Sequence, residues 1–219
     1  MNSESVQKKR TLIHYLGLLG IVSFVSYLLA VVFAPLAYPG YHWLSQAVSD
    51  LSALDAPSRQ LWLKLSCLYS IGAIVSLTLC CVYIQNRLNR LLRVGIYLFT
   101  VMNWVSYLGY AMFPLSTSGY AGTFQDIIHA YVVTASVVIL SIVSLLFIMI
   151  GGYRERKYRP LAVFATVALV LMFAGAVGSG ALPTAYFGVA ERFSVFAATG
   201  FTAVLGYELF IGFDLMEGK

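Results

Sequence analysis

Apolar residues gather in six long runs along this chain, at about 12–34, 61–84, 91–113, 127–150, 161–182 and 193–215, with short polar connections between them. A helix of about 20 apolar residues crosses a bilayer's hydrocarbon core. Each run meets that length, so the pattern predicts an all-α, polytopic membrane protein: one domain over 1–219 made of a six-helix transmembrane bundle. The connections after the second and fourth runs are short and predict antiparallel neighbouring helices. The connections on the other side are longer and richer in reactive side chains.

The first of these longer connections has a pattern of its own. Leu44, Ala47, Val48, Leu51 and Leu54 recur at helical spacing, with Tyr38, Tyr41 and Trp43 beside them and Pro57 after them. That spacing predicts an amphipathic helix lying in the membrane interface, with Leu44, Val48 and Leu51 on its apolar face.

Charge orients the bundle. Of 14 basic residues, 11 fall on one side once the six runs are threaded. Lys8, Lys9 and Arg10 precede the first run; Arg87, Arg90 and Arg93 lie at the turn after the second. Arg154, Arg156, Lys157 and Arg159 fill the turn after the fourth, and Lys219 follows the sixth. Only Arg59, Lys64 and Arg192 fall opposite. Short cytoplasmic loops carry the excess of Lys and Arg. A multi-pass cell-membrane protein with both termini cytoplasmic is therefore expected. The net charge of +5 reflects this bias and does not form a nucleic-acid-binding face. Membrane lipids are the expected partners. Only 11% of residues are charged and 60% are hydrophobic, as a lipid-facing surface requires. Cys67, Cys80 and Cys81 sit inside one apolar run without loop partners, which argues against a disulfide framework and a zinc site.

Candidate chemistry collects on the side opposite the basic turns. His42, Ser45, Gln46, Ser49, Asp50 and Asp55 come from the first connection, Gln125, Asp126 and His129 from the second, and Glu191 and Arg192 from the third. Each acid alone fits helix capping. Together, Asp50, Asp126, His129, Glu191 and Arg192 suggest a polar, ligand-binding pocket at the outer mouth, holding a lipid or other small amphiphile. Asp126 and His129, three residues apart, share a helix face. With Ser49 they supply the residue types of a hydrolytic triad, so an intramembrane lipid hydrolase is the first alternative. A small-solute transporter is the second, weakened by the lack of an inverted repeat. Neither HExxH nor HxxxH spacing supports a metal, and no cofactor is expected. Within the membrane, Asn103 and Glu208 are the polar residues to explain. Asn103 is expected to hydrogen-bond between helices, and Glu208 to reach Arg93 or the inner interface. Ala174, Gly175, Gly178, Gly180 and Ala181 in the fifth run predict close helix packing.

Four segments carry a resemblance: SDLSALDAP at 49–57, FPLSTSG at 113–119, QDIIH at 125–129 and GVAER at 188–192. In that order and on one face, they resemble the bacterial and archaeal membrane proteins grouped as the domain of unknown function 998 family. The resemblance covers nearly the whole chain and implies an uncharacterised six-span membrane protein without an assigned substrate. A more distant likeness is to the ceramidase and progestin-receptor-like transmembrane hydrolases. Those carry seven spans, a serine, an aspartate and three zinc-binding histidines. Here the histidines are only His14, His42 and His129, with His14 at the opposite end, so a zinc hydrolase is not carried over.

Overall fold

The computed structural model describes residues 10–213. Lys8, Lys9 and Lys219, and the end of the sixth apolar run beyond 213, lie outside the described residues. Six helical spans account for most of the rest: α1 (Leu12–Ala37), α2 (Arg59–Tyr83), α3 (Arg90–Met112), α4 (Phe124–Tyr153), α5 (Arg156–Ala181) and α6 (Thr184–Ile211). No strand occurs among the described residues. The chain is thus an all-helical bundle with six helices long and apolar enough to span a membrane.

The spans form a ring. α1 packs against α2 and α6, α3 against α4, α4 against α5, and α5 against α6. The α2–α3 seam is the loosest of the sequential pairs, although a short turn joins the two helices. Glycine allows the tightest crossings. A Cβ at Gly175 of α5 would collide with the Ser194 backbone and the Ala190 carbonyl of α6, so the small residues of the fifth run serve packing.

Packing differs along the bundle axis. Toward the basic end, Leu77, Phe99, Leu145, Leu161, Met172 and Phe201 are fully buried in one continuous apolar core. The Phe99 and Phe201 rings meet edge to face at 5.3 Å. Toward the opposite end the core gives way to Tyr27, Val31 and Val48, with Trp62, Tyr69 and Phe196 packed against them. There α2 is broken, its helical segments Arg59–Leu65 and Tyr69–Tyr83 separated by a turn. Backbone groups freed inside a membrane need partners. Ser26 Oγ donates to the Leu65 carbonyl, where the first segment ends, and Ser23 Oγ to the Tyr69 carbonyl, where the second begins, both at 2.6 Å, so α1 braces both sides of the break.

Two expectations require correction. The Leu44–Leu54 stretch is not an interfacial helix but a series of turns, with a single 3-10 turn at Ser49–Ser52. Val48 and Leu51 are buried in the protein, whereas Leu44 and Leu54 are exposed. Side chains from α6 and its neighbours take the backbone groups that a helix would have paired. The second correction concerns helix starts. α4 begins at Phe124 because Thr123 caps it, accepting from the Asp126 N–H. α6 begins well before the sixth apolar run, so Glu191 and Arg192 lie inside the span and not in a connection.

Candidate functional site

The connections at the end opposite the basic turns meet at one rim, and the acids tie them to one another. Asp50 Oδ2 accepts from the Ala47 N–H at 3.1 Å, and Oδ1 accepts from the Gly119 N–H at 2.9 Å. Burial pushes the Asp50 carboxyl above its ordinary value, against the pull of those two N–H groups. Asp55 Oδ1 accepts from the Ser118 N–H at 2.8 Å. Asp126 does most: it accepts from the Ser116 N–H and Oγ, both at 2.7 Å, and from the Thr123 N–H at 3.1 Å. Its capping role is as expected, extended to the segment before it.

The third connection point is α6. Glu191 Oε2 accepts from the Val48 N–H at 2.5 Å. Arg192 Nη1 donates to the carbonyls of Trp43 and Gly188, both at 2.7 Å, and Nη2 donates to Tyr41 Oη at 2.7 Å. Burial pushes the Tyr41 phenol up to about 12, with Arg192 drawing it the other way. At Gly188 the cap loop comes so near that a Cβ would strike the Gln46 and Trp43 carbonyls. Only a residue without a side chain fits there.

Three of the four sequence segments singled out above are each other's partners, and the fourth, GVAER, bonds the stretch just before the first of them. SDLSALDAP bonds FPLSTSG through Asp50 and Asp55; FPLSTSG bonds QDIIH through Asp126; and GVAER bonds the first loop through Glu191 and Arg192.

The candidate ligand-binding residues fall into two groups. Asp50, Glu191 and Arg192 lie in electrostatic reach of one another around Tyr41. Asp126 and His129, in electrostatic reach of each other, form a second group, Asp126 bonded to Ser116. Asp126 does not orient His129 by a hydrogen bond, since His129 Nδ1 lies 2.8 Å from the Phe113 carbonyl. A carbonyl only accepts, so Nδ1 carries the proton and Nε2 the lone pair. Ser49 sits on the 3-10 turn with its carbonyl bonded to Ser52 Oγ at 3.0 Å, and no bond to His129 occurs among the described residues. No group of three or more His, Cys, Asp or Glu side chains among the described residues is placed to hold a metal ion.

Beneath the rim lies a polar lining that sequence reasoning missed. The Tyr27 and Tyr69 rings are 4.6 Å apart, and the Tyr110 and His129 rings 4.8 Å. Tyr110 Oη is 3.0 Å from Thr134 Oγ1. Glu191 lies within electrostatic reach of Tyr27 and Tyr110. Tyr69, Tyr110 and Glu191 are each half-buried. At this depth α4 is wound as a π-helix over Ile128–Thr134, a form found often at functional sites. Thr134 Oγ1 donates to the His129 carbonyl at 2.9 Å, a partner supplied by that wider winding. A signal existed in the sequence: Asn103, Ser106 and Tyr110 repeat at helical spacing along one face of α3.

The intramembrane pair resolves differently. Asn103 Nδ2 donates to the Phe99 carbonyl at 3.0 Å, a bond within its own helix and not between helices. Glu208 makes no ion pair with Arg93 among the described residues; Arg93 Nη1 points to Asn86 at 3.5 Å, and its Nε is buried without a partner.

A family model described as "Protein of unknown function (DUF998)" matches residues 21–208. No curated protein and no solved structure matches the chain.

Proposed function

The chain belongs to the DUF998 family of proteins of unknown function, and we propose that it holds the polar head of a lipid or similar amphiphile in the outer half of its bundle. The observation that carries this reading is Glu191. One of its oxygens accepts from Val48; the other has no protein donor among the described residues. A carboxylate at membrane depth is costly unless its lone pairs are met. A head group bearing hydrogen-bond donors would meet them, between the phenols of Tyr27, Tyr69 and Tyr110. The loose α2–α3 seam, beside the break in α2, offers such a molecule a lateral way in from the bilayer. Acyl chains would remain in lipid. Hydrolysis through Ser49, His129 and Asp126 draws no support from their separate hydrogen bonds.

Native mass spectrometry of the purified protein in mild detergent tests this. A co-purifying amphiphile should be retained by wild type and lost about tenfold more readily from Glu191→Gln, as removal of one charge-assisted bond implies. Equal retention by the two proteins would end the proposal.

The basic end belongs in the cytoplasm on this reading. An impermeant thiol reagent added to intact cells should label cysteine at Ser118 and spare cysteine at Tyr158. Labelling at 158 from outside would invert the orientation.

A further inference from the structure

A groove of about 590 Å³ lies between α3 and α4 at the basic end of the bundle. Arg90, Arg154 and Glu155 line it at the helix ends, and Leu91, Val94 and Phe147 supply its apolar wall. We propose that this groove binds an anionic phospholipid of the adjacent leaflet, with the phosphate on the two arginines and an acyl chain along the apolar wall. The site is separate from the one built on Glu191.

The seam behind the groove is closed. α3 and α4 approach one another through glycine: a Cβ at Gly151 would strike the Leu92 backbone, and one at Gly95 the Ile148 backbone. Asn89 joins the two ends. Its Oδ1 accepts from the Leu92 N–H at 3.0 Å, and its Nδ2 donates to the Gly151 carbonyl at 3.0 Å and to Glu155 Oε1 at 2.7 Å. The groove is therefore a depression over tightly joined helices and not a gap between loose ones. Its volume falls within the range of ligand pockets, about 300–1,000 Å³.

The chemistry changes along the groove in one direction. Phe147 and Arg154 are seven residues apart and share a face of α4, so the ring's position lies about 10 Å deeper along the helix axis. Arg90 and Val94, four residues apart, share a face of α3. Each helix thus sets an arginine at the membrane boundary and an apolar side chain farther in. A phospholipid has the same order, with its anionic head at the boundary and its chains inward. Guanidinium forks match phosphate oxygens, and the half-buried Leu91, Val94 and Phe147 leave apolar surface for a chain.

Neither guanidinium is committed elsewhere. Arg90 and Arg154 are exposed, and neither has a hydrogen bond, ion pair or ring contact among the described residues. The one acid in the lining, Glu155, is held by Asn89; two arginines against one carboxylate leave a net charge of +1. The terminal segments outside the described residues add no net charge, since Glu4, Asp214 and Glu217 balance Lys8, Lys9 and Lys219. Asp214 follows Phe213, which lines a different cavity. The positive-inside bias requires basic residues near this boundary. It does not require two of them, from different helices, on one groove with a shared apolar wall.

The full-length protein in uncharged detergent, titrated with dioleoyl phosphatidylglycerol and followed by native mass spectrometry, tests the site. Arg90→Gln and Arg154→Gln should each weaken retention of that lipid about tenfold. Arg90→Lys keeps the charge without the fork and should fall between. Arg87→Gln removes a charge from the same turn but outside the groove, and should change retention less than about twofold. Asp214→Asn combined with Glu217→Gln should also stay within about twofold; a rise of about tenfold would show that those acids already occupy the arginines, and would overturn the proposal. Thermal melts of every variant verify that it is folded. Dioleoyl phosphatidylcholine, whose head carries no net charge, should bind more weakly, and equal retention would remove the anionic preference. Glycerol 1-phosphate, a head without chains, should not displace the lipid at equal concentration. Displacement there would assign the groove to a soluble phosphate compound and end the lipid assignment. Equal weakening by Arg87→Gln and Arg90→Gln would overturn the proposal in favour of a nonspecific charged surface, as would the absence of any effect at Arg90 and Arg154.

Discussion

The two halves of the bundle use their side chains in opposite ways. In the half toward the basic end, apolar side chains fill the interior and the cations sit at the rim. In the opposite half, charged side chains lie beneath the connecting loops and bond the loop backbone. Asp50, Asp55, Asp126, Glu191 and Arg192 take N–H and C=O groups that would otherwise lack partners in a membrane boundary. The half toward the basic end is held mainly by packing of apolar side chains. The opposite half is held by directional bonds and leaves one Glu191 oxygen without a protein donor among the described residues.

The difference predicts unequal consequences of mutation. Phe201→Ala removes a fully buried ring from the inner core and should cost about 3 kcal/mol, since truncating a buried aromatic leaves a cavity. Thermal unfolding in detergent should show a lower midpoint for the whole bundle, with amphiphile retention preserved in the folded fraction. Separate unfolding of the two halves would break the comparison, because the inner core would then not support the outer one.

Asp126→Asn should act locally and more weakly. The side chain is buried, and the partners that cover it, Ser116 and Thr123, belong to the connection just before it. The amide keeps one acceptor oxygen and turns the other position into a donor facing donors. Amide exchange over 113–123 should rise roughly tenfold, while exchange in the inner halves of α3 and α5 stays unchanged. An equal rise at both ends would show that the rim is not an independent layer.

Much of the inner half was legible in the sequence and little of the outer. The apolar runs and the basic turns reported the spans because bilayer thickness leaves few other lengths possible. The cap loop was misread because Leu44, Val48 and Leu51 repeat at helical spacing, while the groups that unmake that helix lie far away in sequence. Glu191 meets the Val48 N–H across 143 positions, and Arg192 meets the Trp43 carbonyl across 149. No local pattern encodes such bonds. Tyr27, Tyr69 and Tyr110 were passed over because tyrosine near a span's end usually marks the interfacial belt. The capping contact of Asp126, weighed beside its place in a pocket, was legible because Thr123, its partner, is only three residues away.

The mildest test of the comparison is alkaline titration of Tyr41. Its hydroxyl donates to the Ala47 carbonyl at 2.8 Å and accepts from Arg192, so one phenol closes the first loop onto α6. Burial raises its pKa in the folded protein to about 12, above the ordinary value near 10. The sign follows from linkage: the folded state binds the phenolic proton more tightly than the unfolded state. The corresponding stability is complete below about pH 10 and is lost as pH rises toward about 12. Tyr41→Phe should cost about 1 kcal/mol at neutral pH through the lost hydrogen bonds. The gap between wild type and Tyr41→Phe in thermal midpoint should then narrow between pH 10 and 12, because only wild type carries the proton whose loss is at issue. The inner half contributes a shared background to both proteins, so the difference isolates the rim. A gap that stays constant across that interval would place Tyr41 outside the bonded layer, and the first loop would then be held by Asp50, Glu191 and Arg192 alone.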